Sequence, residues 1–308
     1  MAALCLLVAT AAIAAEAPSS ATPTMEHRVR AILSGNLVLE ASQRAAVKEL
    51  VALGEAGGIA MARYLPSKVT TVTITLRDAY VDMKEKASPG LRLGLESADV
   101  RTRRTAMGFL AEIGSATDRD VFLSFLNDPD ETLRVLAARG LVGAATLGDT
   151  EAQAALLAVL EATSPALRKW AALALGTWGD EGVIAPLSGR LSDPSWPVRW
   201  DAAHGLVGLC KRDHQGSVQA ALTPLLSATE ARTRALAAYV LGKGAIAEAQ
   251  PALRAAAARE TDPVALGYLA EALRWLDAAA STTDDALPPA LREHPFVKWK
   301  SGRQVTEK

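Results

Sequence analysis

Apolar residues recur along most of this chain three and four apart, with polar residues between them, which is the signature of amphipathic helices. The pattern is clearest from residue 99 to 277. Its fullest copy runs Leu167-Arg168-Lys169-Trp170-Ala171-Ala172-Leu173-Ala174-Leu175-Gly176. Diverged copies place Arg134 before Ala137 and Leu141, Arg199 before Ala202 and Leu206, and Arg234 before Ala237 and Leu241. A weaker one has Arg103, Ala106 and Leu110. The arginine returns every thirty-odd residues, a period that signals a helical solenoid.

Between these helices the pattern predicts a second series, at Val121 to Leu126, Ala152 to Leu160, Val183 to Leu191, Val218 to Leu226 and Pro251 to Ala258. Asn127-Asp128-Pro129-Asp130 and Ser192-Asp193-Pro194-Ser195 read as linking turns, because Asp and Pro initiate turns. Gly176 and Gly179 read as turn glycines. The last copy starts at Pro263-Val264 and has Leu266 in the arginine slot, as a capping repeat would.

Upstream, residues 39–98 read as diverged repeats. Helices are expected from Glu26 to Leu33 and from Glu40 to Leu53, with Gly54 as a stop, then from Ile59 to Leu65. Thr71 to Leu76 alternates with period two, which locally favours a strand. A lone strand among helices has no ladder partner and would bury unpaired backbone groups. Residues 68–83 are therefore read as a helix, and Pro89-Gly90 as a turn.

The ends differ from the middle. Ala2 to Ala15 is uncharged and apolar, too short to span a bilayer, and closes on Ala12-Ile13-Ala14. Residues 1–14 thus read as a signal peptide, which implies a periplasmic or secreted protein. Residues 15–38 read as a linker with a short helix, and 278–308 as a linker and basic tail whose Phe296 and Trp299 fold back on the last repeat. No further segment reads as membrane-spanning.

Composition adds little. With 33 basic and 34 acidic residues the formal charge is −1, which argues against nucleic acid as a partner. Cys5 lies in the leader, so Cys210 is left as a single thiol and is expected to be inert core.

The arginine series, with the Ala and Leu three and seven positions beyond it and Gly176, Gly179 and Asp180, resembles HEAT repeats, in particular the short HEAT-like repeats also seen in phycobilin lyases. The resemblance is good from about residue 99 to 277 and poor before 66. It implies an all-α fold, a right-handed α-α superhelix. It also implies that a turn Asp bonds the Arg of the following helix, as Asp128 with Arg134 and Asp193 with Arg199. Arg103, Arg168 and Arg234 lack an Asp at the matching place. The whole arginine series is expected to be structural rather than a phosphate clamp.

Positions one and five beyond each Arg vary most and share one helix face. By analogy with HEAT-like folds this helix lines the concave side. Arg139, Trp200, His204 and Tyr239, with Trp170 nearby, then form a candidate recognition patch, since aromatics and Arg anchor interfaces. The alternative is that they fill gaps between helices.

Catalytic signals are thin. His27, His204, His214 and His294 form no metal-ligand spacing, and no His-Glu pair of the kind that binds iron in HEAT-like deoxyhypusine hydroxylases occurs. His204 with Asp201 reads as a helix-surface hydrogen bond. No catalytic residue, metal ligand or cofactor is assigned. The expectation is an exported, non-catalytic scaffold or adaptor that binds another protein or peptide. The alternatives are a HEAT-like enzyme, either bilin-lyase-like or an oxidoreductase related to the hydroxylases, and a HEAT-like nucleic-acid binder.

Overall fold

The computed structural model describes residues 23–35 and 37–279. The expected signal peptide and the tail from residue 280, with Phe296 and Trp299, lie outside these residues.

The described chain is a series of helical hairpins, and no strand occurs among the described residues. It opens with α1 (Met25–Leu33), α2 (Glu40–Ala52), α3 (Gly54–Met61), α4 (Thr70–Met83) and α5 (Ser88–Leu95). The regular part continues with α6 (Val100–Ile113), α7 (Arg119–Phe125), α8 (Glu131–Ala144), α9 (Thr150–Val159), α10 (Pro165–Trp178) and α11 (Ile184–Gly189). It closes with α12 (Trp196–Cys210), α13 (Gln215–Leu222), α14 (Ala231–Lys243), α15 (Gln250–Arg259) and α16 (Pro263–Ala279). The fold is the all-α solenoid expected.

The helices form two rows. Each even-numbered helix from α2 to α16 packs against the next even one. In the odd row α3 packs on both α1 and α5, and α11 on α13. One apolar core runs between the rows, from Val29 to Leu276. It is contiguous because each hairpin buries its apolar face only against its neighbours.

The even row is drawn tight by small residues. A Cβ on Gly176 of α10 would lie 2.3 Å from the Cα of Gly205 in α12, and one on Gly242 of α14 would lie 2.6 Å from the Cα of Ala272 in α16. Gly176 is thus an intrahelical contact glycine and not a turn glycine, whereas Gly179 caps the end of α10. The odd row leaves crevices over the same stretch, of about 400 Å³ near α7 and α9 and about 310 Å³ near α11 and α13. From α8 onward the even row is the more closely packed of the two and is termed the inner row.

Two local expectations are corrected and a third is borne out. Gly54 ends α2 through its positive φ of 63°, but it also begins α3, five residues ahead of the Ile59 start read from the sequence. Pro89 and Gly90 lie in the first turn of α5 instead of a turn, because Pro fits there without a lost hydrogen bond. A side chain at Gly90 would strike the Gly58 carbonyl of α3. The segment with period-two spacing is indeed helical, as α4. It buries Leu76, Ala79, Tyr80 and Met83 on one face. Thr75 returns its hydroxyl to the Thr71 carbonyl at 2.8 Å, which accommodates a β-branched residue within the helix.

Candidate functional site

The repeat arginines act on backbone, and all five act alike. Nη1 of Arg103 donates to the carbonyls of Ser97 and Ala98. Arg134 does the same to Asp128 and Pro129, and Arg168 to Ala162 and Thr163. Arg199 reaches Asp193 and Pro194, and Arg234 reaches Ala228 and Thr229. Each arginine therefore closes the turn that leads into its own helix, satisfying carbonyls that the turn leaves over.

This corrects the expected Asp–Arg pairing. Asp128 and Asp193 offer Arg134 and Arg199 their carbonyls and not their carboxylates. The Asp193 carboxylate instead bonds the preceding repeat's Arg168, through Nε at 2.7 Å and Nη2 at 2.9 Å. Glu260 takes Arg234 in the same way, at 2.6 and 2.7 Å. The carboxylate ladder thus joins one repeat to the next. The Asp128 side chain accepts the Asp130 N–H instead.

The protonation energetics follow the contacts. Burial raises the Asp193 carboxyl, but the Arg168 hydrogen bond and the Ser195 N–H outweigh it and hold the group below its ordinary value. The Arg234 hydrogen bond pulls Glu260 down to about 2. Arg199 has no such carboxylate. Burial lowers its pKa, and its guanidinium lies 5.3 Å from the Trp196 ring centre.

The five proposed patch residues all stand on the even row, in two groups. Trp200, His204 and Tyr239 come together: Trp200 lies 4.3 Å from His204 and 5.6 Å from Tyr239, centre to centre. The Tyr239 hydroxyl and His204 Nε2 are 3.3 Å apart. Arg139 and Trp170 form a separate pair, with the guanidinium 5.8 Å from the ring centre and Lys169 over the same ring at 4.3 Å.

Burial divides the first group. Trp200 is 5% and Tyr239 3% exposed, so both fill space between α12, α14 and α16, and burial pushes the Tyr239 hydroxyl up to about 12. His204 is exposed and presents the polar edge of the group.

Sequence reasoning missed three aromatic members of this row and a lysine that lies on one of them. Trp196 stacks beside Trp200 at 5.4 Å, and Tyr239 meets Tyr268 at 6.4 Å and Trp275 at 5.8 Å. Lys243 lies 4.6 Å above the Trp275 ring. The signal was available. Reading the variable column one helical turn earlier gives Trp196, and one turn later gives Lys243 and Trp275.

Cys210 is fully buried, and burial pushes its thiol up to about 11, as suits an inert core residue. Among the described residues no three His, Cys, Asp or Glu side chains converge to hold a metal ion. No helix among them is long and apolar enough to cross a membrane.

The two-row stack, the repeated arginine and the close glycine contacts define a HEAT-like α-solenoid. Residues 119–207 match the sequence family of HEAT repeats. No curated protein matches the chain. Solved structures are similar in fold. An engineered protein shares 21% identity over 82% of this chain and 78% of its own, with a TM-score of 0.47. A HEAT-like repeat protein of Thermococcus onnurineus shares 16% over 76% and 98%, at 0.42. Human deoxyhypusine hydroxylase shares 19% over 82% and 97%, at 0.35.

Proposed function

We propose that this chain is an exported, non-catalytic scaffold that binds another protein or peptide along the inner, even-numbered helix row. The observation that carries this reading is the aromatic row from Trp196 to Trp275, with His204 exposed and the cations Lys169 and Lys243 lying on tryptophan rings. Buried aromatics hold the surface rigid. The exposed edges and cations supply contacts of the kind that anchor protein interfaces. The apolar leader supports export.

The test is affinity capture from an envelope fraction, quantified by mass spectrometry, with wild type against a His204→Ala, Trp275→Ala double variant. His204 is exposed and Trp275 half-buried, so the core loses less than it would with Trp200. The expected result is a partner captured by wild type and depleted about tenfold or more with the variant. Equal capture by a folded variant contradicts the reading. So does a stoichiometric metal or chromophore in the purified protein.

A further inference from the structure

The carboxylate ladder lacks rungs at Arg103, Arg134 and Arg199, and a cavity stands beside Arg134. Six residues before an arginine slot lies the residue placed to meet the preceding repeat's arginine, although Asp128, so placed for Arg103, bonds the Asp130 N–H instead. Asp193 and Glu260 hold that position for Arg168 and Arg234. Ala162 holds it for Arg134. Among the described residues half-buried Arg134 donates only through Nη1, to the two carbonyls of its own turn, so Nε and Nη2 have no protein acceptor.

The crevice of about 400 Å³ in the odd row is lined by both Arg134 and Ala162. Asn127 adds an amide to the lining, and Leu123, Val159 and Leu167 supply apolar wall. Glu151 also lines it, but its side chain is largely exposed and is held by Arg119 at 2.8 Å, so it stands at the mouth. The second crevice lies at the equivalent place two repeats on, beside Ala228, where the acid is again alanine. There Glu230 lines the crevice and acts electrostatically on Arg199, so the first crevice is the better anion site.

We infer that the Arg134 crevice binds a carboxylate with a short aliphatic body, which takes the place that Asp193 and Glu260 fill in the other repeats. The free guanidinium edge offers two parallel N–H donors, the geometry that carboxylates accept in bidentate fashion. The apolar wall suits a hydrocarbon body, and the volume is that of a small-molecule site. The crevice opens on the outer row, with Arg134 of α8 and Leu167 of α10 reaching it from the even row, and it shares no residue with the aromatic row proposed for protein binding.

The probe is hexanoate, titrated into the whole chain by calorimetry, with hexanol as the control without a carboxylate. A capped Leu-Glu-Leu peptide forms a second arm, because a partner's side chain would present the same group. We expect hexanoate to bind at least about tenfold more tightly than hexanol. Binding of the peptide in place of hexanoate upholds the site and assigns the carboxylate to a partner.

Ala162→Asp restores the rung. It is expected to raise the melting temperature and to weaken ligand binding at least about tenfold. Should that variant fail to fold, Arg134→Lys serves, since it keeps a charge and a donor but loses the forked edge; a similar loss of affinity is expected. No binding of either probe to wild type, or undiminished binding in a folded variant, overturns the inference.

Discussion

At the residue scale, the arginine that marks every repeat is a backbone clamp first and an ion-pair partner second. All five close their own turn through two carbonyls, whereas only Arg168 and Arg234 also hold a carboxylate of the next repeat. The sequence made the arginines visible by their period. The resemblance to HEAT repeats implied acids as their partners, and Asp128 and Asp193 stand at the matching places. Spacing alone cannot tell a carbonyl from a carboxylate on the same residue, and here the carbonyl does the bonding. The Arg168–Asp193 pair is nearly buried, with side chains 9% and 2% exposed, so removing one partner strands a charge. Asp193→Asn is expected to cost about 3 kcal/mol of unfolding free energy at neutral pH, measured by urea denaturation. Because the folded Asp193 carboxyl lies below its unfolded value, its contribution is complete above about pH 4 and fades as pH falls through the folded pKa. The gap between wild type and variant should therefore be flat from pH 7 to about 4 and shrink below it. A gap that widens on acidification would contradict this account.

At the element scale, what matters is how closely successive even-row helices approach. Gly205 faces Gly176 with no room for a methyl group, whereas Gly267 in α16 has no heavy atom within 4 Å of where a Cβ would stand. Both are helical, so replacing either by Ala gains about 1 kcal/mol in helix propensity. At Gly205 the clash outweighs that gain, since forcing extra carbon into a packed contact costs about 1–3 kcal/mol or more. Gly205→Ala should lower the melting temperature and Gly267→Ala should raise it slightly, as followed by circular dichroism. Equal effects would show that the row is not in close contact. Legibility was uneven here for a physical reason. Helix existence was readable from apolar period, even in α4, where the absence of a ladder partner argued against the strand that Thr71 to Leu76 suggested. Gly176 and Pro89-Gly90 were misread as turns, because a glycine that admits a neighbouring helix looks in sequence like one that bends the chain.

At the scale of the whole molecule, one tight and one open row give the two faces different chemistry. The inner row carries the aromatic side chains and the cations that lie on them. The outer row carries crevices floored by small residues. The candidate site was partly readable, since one variable face per helix picked out Trp200, His204 and Tyr239, which do meet. The division of that group into buried support and exposed edge was not readable, because burial depends on how far α12, α14 and α16 stand apart. Grouping Arg139 and Trp170 with them followed from a shared face alone, and the structure pairs these two with each other.

The central claim is that the inner row grips a partner. It is tested most directly by hydrogen exchange of this chain alone and in complex with the captured partner. The account predicts slowed exchange concentrated in α12, α14 and α16, around Trp196 to His204, Tyr239 and Trp275, with α7, α9 and α11 unchanged. Protection confined to the odd row, or no protection at all in a stable complex, would contradict it.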